Sequence, residues 1–228
     1  MINAILKVVR CQQLMQMYKQ KLTLLIGRGA LNYILLNELK KEFEIEAVII
    51  EDSVPLSTFL KRRLAKLGFF KVVGQLSLVA LALPFIKKSS NKRIDNILRE
   101  HNLDVNLTPA DNIKYVESVN SQTCLDLISK LKSDLIVVNG TRIISKKVLN
   151  SINVPIINTH LGITPQYRGV HGGYWALVNG DDKNIGVTVH KIDAGIDTCE
   201  VILQSSVDIT IKDTFATYPY LQQAKGTS

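Results

Sequence analysis

Apolar and polar positions along this chain follow two rhythms. Lys21-Leu-Thr-Leu-Leu-Ile26 is a short apolar run closed by Gly27-Arg28-Gly29, which predicts a buried strand and a turn. Leu31, Ile34, Leu35 and Leu39 then recur at helical spacing, and Ile45 to Ile50 is a second apolar run closed by Glu51-Asp52. Strand, helix and strand in that order predict a parallel sheet. The alternation resumes with a strand at Ile113 to Val119, a helix at Cys124 to Leu131 and a strand at Asp134 to Val138. Ser145 to Ile152 reads as a short helix and Val154 to His160 as the next strand. Gly186 to Ile192 and Val201 to Gln204 are two more, antiparallel across the Asp193–Thr198 turn. The expected fold is α/β, a single doubly wound, Rossmann-like and mostly parallel sheet. Residues 1–20 form a short basic helix or a loose lead-in, 21–210 the main domain, and 211–228 a short end segment with a helical start at Asp213.

The stretch from 56 to 100 breaks the rhythm. Leu67 to Ile86 is mostly apolar, flanked by Lys61, Arg62, Arg63 and Lys66 before it and Lys87, Lys88, Lys92 and Arg93 after. A spanning helix needs about 20 predominantly apolar residues. Lys71, Gln75 and Pro84 lie inside the stretch and argue against spanning. Peripheral attachment to a membrane by a basic-flanked helix and a buried or interface helix are the other readings.

Net charge is +8 and the pI about 9.3, which favours anionic partners: phosphorylated substrates, nucleic acid or an acidic membrane surface. A hydrophobic fraction of 46% with 21% charged residues is that of an ordered globular protein. Cys11, Cys124 and Cys199 are odd in number and far apart, so neither a metal site nor a disulfide framework is expected, and a reducing cytoplasm fits. The apolar stretch Ile5 to Val9 is too short for a signal peptide.

Candidate chemistry gathers in the second half. Asn158 and His160 are two apart at the end of an apolar strand, so their side chains share a face at the edge where ligands meet open α/β sheets. His190 lies within a strand, His101 in a charged helix end, and His171 in the following loop is a weaker rival. Asp193 and Asp197 sit in the turn after a later strand, where carboxylates commonly make local hydrogen bonds. Near the N-terminus, Gly27-Arg28-Gly29 sits between a strand and a helix and suits either a tight turn or a phosphate contact. It lacks the longer dinucleotide fingerprint, because position 32 is Asn.

Asn158-Thr-His160-Leu-Gly162-Ile-Thr-Pro165-Gln-Tyr167-Arg168-Gly169 resembles the Asn-x-His and Pro-x-Tyr/Trp-Arg-Gly loop of formyltransferases that use 10-formyltetrahydrofolate. Trp175 to Asp181, Gly186 to His190 and Ile192-Asp193-Ala-Gly-Ile-Asp197-Thr198 continue the likeness in order, over about residues 134 to 204. The resemblance implies a catalytic trio. Asn158 would donate to the tetrahedral oxyanion, His160 would move protons, and Asp197 would hold His160 and favour its protonated form. It implies that Thr141, Arg142, Ile143, Ile144 and Asp193 contact the formyl donor, while Tyr167 and Arg168 border the acceptor pocket. With a nucleotide-linked acceptor, Gly27, Arg28 and Gly29 would meet its diphosphate. Two departures stand out. Cys199 occupies a position where the family has Gly, and the chain stops at Ser228, earlier than relatives do.

The expected function is therefore transfer of a formyl group from 10-formyltetrahydrofolate to a primary amine. The apolar, basic-flanked helical insertion at 56–100 and the Gly-rich Val170–Tyr174 turn point to formyltransferases of surface-glycan pathways and to a nucleotide-linked amino sugar. The lack of room for the C-terminal domain of transfer-RNA formyltransferases points away from initiator tRNA, so no nucleic-acid partner is expected. Phosphoribosylglycinamide formylation, formyltetrahydrofolate deformylation, and an inactive folate- or partner-binding homologue stay open, as do a homodimer and a membrane-peripheral location through Leu67–Ile86. No metal is expected.

Overall fold

The structure, a computed structural model, describes residues 20–109, 112–192 and 200–228. The lead-in at 1–19 and the Asp193–Thr198 turn, with Asp193, Asp197 and Cys199, lie outside the described residues. One seven-stranded sheet carries β1 (Lys21–Gly27), β2 (Glu44–Glu51), β3 (Ile113–Val116), β4 (Leu135–Asn139), β5 (Ile156–His160), β6 (Gly186–Lys191) and β7 (Val201–Ser206). Their order across the sheet is β3-β2-β1-β4-β5-β6-β7. Pairing is parallel from β3 through β5, then antiparallel for β5 with β6 and β6 with β7. The doubly wound, mostly parallel sheet expected from the sequence is the one observed.

The central strands are apolar on both faces because both are covered. All five residues of β4 are buried, and Leu24 and Leu25 of β1 enter opposite cores. On one face α1 (Ala30–Glu42) packs Leu35, Leu36 and Leu39 against Leu22, Leu24 and Val137. On the other, α4 (Gln122–Ile128) and α5 (Lys146–Leu149) bring Cys124 and Val148 to Leu25, Ile136 and Val138. Burial pushes the Cys124 thiol up to about 11, so this cysteine is a core residue and no nucleophile.

Several elements differ from the sequence reading, each for a visible reason. The third strand ends at Val116 because the chain beyond it turns to other partners: Glu117 O accepts from Arg142 and Val119 N donates to Glu51. α5 is shorter than expected because its end tightens into three-residue bonds, Ser151 N to Val148 O and Ile152 N to Leu149 O. The Gly-rich stretch expected to be a turn holds a helix, α6 (Gly172–Val178). The last helix, α7 (Tyr218–Thr227), starts after Asp213 instead of at it. The Asp213 carboxylate is taken by Thr210 N and by the Thr210 and Thr217 hydroxyls, while Pro219 favours a helix that begins beside it.

The apolar insertion forms two helices, α2 (Leu56–Leu67) and α3 (Phe69–Glu100), joined at Gly68 with φ 78°. No residue of α2 is buried, and the apolar window of α3 is only 6% buried, so among the described residues nothing covers this stretch. By length and composition α3 is apolar enough to cross a membrane. Its last turns hold it to the body. Ile97 packs with Val207 and Leu221, Ser90 meets the Thr214 hydroxyl, and Arg93 Nε donates to Asp213 at 2.9 Å. The Asp213 side chain is 1% exposed. Burial works against its charge, but the bonds from Arg93 and Thr210 outweigh that and hold its pKa below the ordinary carboxylate value.

Asp213→Ala should therefore cost roughly 2–4 kcal/mol in urea unfolding, because it strands a half-covered guanidinium and unties α3. The contribution of the Asp213 charge is present above the unfolded carboxylate pKa and is lost as pH falls below about 4. An unfolding midpoint in the variant that matches the wild type at neutral pH would contradict this anchoring role.

Candidate active site

Parallel strands end together, so the loops after β1, β2, β4 and β5 share one edge of the sheet. Gly27 is level with Glu51, Ile26 with Asn139, and Val138 with Asn158. This edge gathers Gly27-Arg28-Gly29, Glu51, Thr141–Ile144, Asn158 and His160. At the opposite edge a groove of about 270 Å³ is lined by Thr23, Ile128, Leu131, Ser133, Ile136 and Asn153 among others. None of its lining residues titrates, so the chemistry belongs to the first edge.

Alternation on β5 buries Thr159 on one face and leaves Asn158 and His160 half-buried on the other. Antiparallel pairing sets His190 opposite Asn158 and Thr188 opposite His160. Asn158 Nδ2 lies 3.1 Å from His190 Nε2, and His190 Nδ1 lies 3.0 Å from Lys191 O. A carbonyl only accepts, so Nδ1 carries the ring hydrogen and Nε2 takes the bond that Asn158 donates. Burial pushes the His190 pKa below the ordinary imidazole value. Nearby His160 adds to that, and the Lys191 bond works against it. A neutral His190 thus fixes the Asn158 amide and leaves one amide hydrogen to donate elsewhere. Sequence reasoning passed over His190 as an ordinary strand residue; only the cross-strand register reveals it.

His160 is set by the loop that follows. Its Nε2 lies 2.9 Å from Tyr167 O, so Nε2 donates and the free basic nitrogen of the neutral ring is Nδ1. Two glycines make room for that bond. A Cβ on Gly162 would stand 2.8 Å from His160 Nε2, and one on Gly172 would stand 2.7 Å from Tyr167 O. Thr188 ties the loop down by donating to Gly162 O at 2.7 Å and accepting from Thr164 N at 3.2 Å. The Tyr167 hydroxyl donates to Asp181 at 2.9 Å, and its ring joins the satellite core of Ala176, Ile185 and Tyr218. Arg168 is exposed beside it. Beyond them Tyr174 and Trp175 stand edge to face at 5.2 Å, with Trp175 52% exposed.

The loop after β4 is organised by Glu51, whose place at the end of an apolar strand gives no sign of this role. Its carboxylate is 5% exposed and accepts from Arg142 N at 2.7 Å and Val119 N at 2.8 Å. The Arg142 guanidinium spans outward to Glu117 O at 2.8 Å and Asp52 O at 2.9 Å. Asn120 completes the clamp, donating to Ile143 O and accepting from Ser145 N. Thr141 is half-buried, its hydroxyl donating to Arg142 O, and Ile144 is buried in the core. The Ile143 side chain is held 95% exposed, an apolar group presented at the site's edge.

At the far end of this edge, Arg28 pairs with Asp52 at 2.6 Å and lies 4.8 Å over the Tyr115 ring. A Cβ on Gly27 would collide with Gly140 O, so Gly27 is needed for the close approach of β1 to the β4 loop. Gly29 opens α1 with φ 129°. Among the described residues no group of His, Cys, Asp and Glu is placed to hold a metal.

Three comparisons bear on what this edge does. Residues 87–224 match the family model described as formyl transferase. Methionyl-tRNA formyltransferase of Pelotomaculum thermopropionicum is 40% identical over 92 residues, which is 40% of this chain and 29% of that protein. The chain thus spans less than a third of that relative. Among solved structures, phosphoribosylglycinamide formyltransferase from Anaplasma phagocytophilum superposes with a TM-score of 0.59 at 16% identity, covering 92% of this chain and 82% of that one. A sugar N-formyltransferase from Shewanella sp FDAARGOS_354 gives 0.53 at 16% identity, covering 91% and 65%. These two likenesses speak to the fold alone.

Three outcomes follow from the geometry. If Asn158 has the donor role that the resemblance implies, His190→Ala should lower kcat roughly 10- to 100-fold with the fold intact, because the Asn158 amide loses its support. The stability that neutral His190 contributes is present above pH 6.5 or so and is lost as pH falls, and His190→Gln should lack that part of the pH dependence of thermal unfolding. Glu51→Ala should cost about 2–3 kcal/mol in denaturant unfolding, since it leaves one buried and one part-buried backbone N–H group without their acceptor. An unchanged midpoint would mean that the loop after β4 is held by something else.

Proposed function

The chain belongs to the formyl transferase family, and from that premise we propose that it transfers the formyl group of 10-formyltetrahydrofolate to the amine of a nucleotide-linked amino sugar in the cytoplasm. The observation that carries the reading is the Asn158–His190 pair beside His160, an oriented amide donor and a proton carrier on one open strand end.

The chemistry that these residues supply is acyl transfer to nitrogen. As the amine attacks the formyl carbon, negative charge grows on the formyl oxygen. The free N–H of Asn158 stabilises that charge, and a donor held in advance of the reaction contributes about 3 kcal/mol. His160 Nδ1 accepts the proton that the attacking amine must lose, and the ring returns a proton to the folate nitrogen that leaves. Its other nitrogen stays tied to Tyr167 O, which keeps the ring in place through both steps. In this proposal Asp197, which the family resemblance pairs with His160, supports the imidazolium while it exists. The loop from Thr141 to Ile144, held by Glu51 and Asn120, is the seat proposed for the donor's pterin, and the family resemblance adds Asp193 to the residues that would contact it.

Support for a nucleotide-linked sugar comes from the acceptor side. Tyr174 and Trp175 present exposed aromatic surface on the helix that follows the His160 loop, suited to stacking on a sugar or base face, and Arg168 is exposed in that loop. In this reading Arg168 meets phosphate and Tyr167 positions the loop through Asp181. The Gly27-Arg28-Gly29 turn becomes a phosphate contact only if Arg28 exchanges Asp52 for the ligand. The fold likeness to phosphoribosylglycinamide formyltransferase makes glycinamide ribonucleotide the second acceptor to test.

Incubation with 10-formyltetrahydrofolate and dTDP- or UDP-linked amino sugars, glycinamide ribonucleotide, or water alone separates the readings. Tetrahydrofolate release that requires an amino-sugar nucleotide is the expected result, and His160→Ala should reduce it by about 10²- to 10⁴-fold. Release driven only by glycinamide ribonucleotide selects the second acceptor, and release without any amine indicates deformylation. Full activity in His160→Ala would sink the mechanism.

A further inference from the structure

The α2–α3 hairpin is the part of the molecule that the reaction leaves unused. From Leu56 to Phe85 it exposes large apolar side chains: Leu56 is 68% exposed, Phe70 88%, Leu78 62%, Leu81 69% and Phe85 75%. An apolar surface of this extent on a soluble body marks a contact with something else. Its charge says what. The chain has 28 Lys and Arg against 20 Asp and Glu; nine of those cations and none of the acids fall within residues 53–94. The rest of the chain therefore carries 19 cations against 20 acids, and the whole net charge of +8 resides in the hairpin segment.

We infer that the α2–α3 hairpin docks this protein on a membrane surface bearing anionic lipid headgroups, lying along the interface. The apolar middle of α3, from Leu76 to Phe85, has basic residues at both ends: Lys61, Arg62, Arg63, Lys66 and Lys71 near the Gly68 turn, and Lys87, Lys88 and Lys92 near the body. Apolar groups in the acyl boundary with ammonium and guanidinium groups at headgroup level is how interfacial helices bind. A second copy of this chain is a poor occupant, since it would bring two segments of nine cations together with no acid between them.

Geometry favours docking over crossing. The hairpin returns to the body at both ends, through β2 at Glu51 and through the Arg93–Asp213 pair on α3. The twelve residues of α2 rise about 18 Å, short of a hydrocarbon core of about 30 Å. The Gly68 turn would also carry Lys66 and Lys71 into that core if it entered tip first. The hairpin springs from the end of β2, at the same sheet edge as Asn158 and His160, so docking leaves that edge near the surface. The inference does not depend on which acceptor is formylated.

The test is co-sedimentation of the full-length protein with vesicles of phosphatidylcholine alone and of phosphatidylcholine mixed with phosphatidylglycerol. Binding to the mixed vesicles, weakened by salt and at least tenfold or so weaker on phosphatidylcholine alone, is expected. A variant with Lys61, Arg62, Arg63 and Lys66 changed to Gln should bind roughly 100-fold more weakly or worse. A second variant, with Phe70, Leu78, Leu81 and Phe85 changed to Ser, should lose binding while keeping every charge. These side chains touch no core, so circular dichroism should match the wild type in both. Failure of the wild-type protein to sediment with mixed vesicles, or equal binding to uncharged ones, overturns the inference. So does retention in the pellet after alkaline carbonate, which would mean a span, or a stable dimer that the Ser variant dissociates.

Discussion

Asn158 and His160 share one face at one sheet edge, as the proposed reaction needs, because β5 is locked in register between a parallel neighbour and an antiparallel one. Parallel pairing with β4 brings the end of β5 to the ligand-binding edge, and antiparallel pairing with β6 sets His190 opposite Asn158. A slip of one residue would turn Asn158 and His160 into the core and Thr159 out of it. The apolar residues Ile157 and Val189, buried in the same core cluster, resist that slip. Core packing and reaction geometry are thus one constraint.

Around this strand pair the fold spends its special residues on the loops. Gly162 and Gly172 let the Tyr167 carbonyl reach His160, and Thr188 holds the same loop from β6. Glu51 does the corresponding work at the neighbouring loop, where one buried carboxylate receives two backbone N–H groups from different elements. Such a charge is tolerated in a buried place because its oxygens are satisfied and Arg142 stands 3.6 Å away. These bonds fix the two described loops of the site, and in the proposed reaction a donor amide aimed in advance needs no rearrangement.

Much of the fold was legible in the sequence because strands buried on both faces read as plain apolar runs, as in Leu22–Ile26 and Leu135–Val138. Other elements were hidden where local signals and long-range partners disagree. Gly172 and Gly173 look like a turn, yet they open a helix because only glycine fits against Tyr167 O and Tyr218. The helical insertion expected over 56–100 is present as two helices, and only Gly68 marks the break between them. At the site, the side-chain alternation of Asn158 and His160 could be read directly. His190 and Glu51 could not, since each acquires its role from a partner at least 32 residues away. The apolar insertion was legible as unusual, but its exposure became known only once the body was seen to leave it uncovered.

The account rests on His190 being a neutral acceptor that fixes the Asn158 amide. Nitrogen-15 chemical shifts of the imidazoles in the folded protein near neutral pH measure that directly. The account predicts hydrogen on Nδ1 of His190 and on Nε2 of His160. A His190 ring carrying its hydrogen on Nε2, or carrying two, would set donor against donor at Asn158 and contradict it.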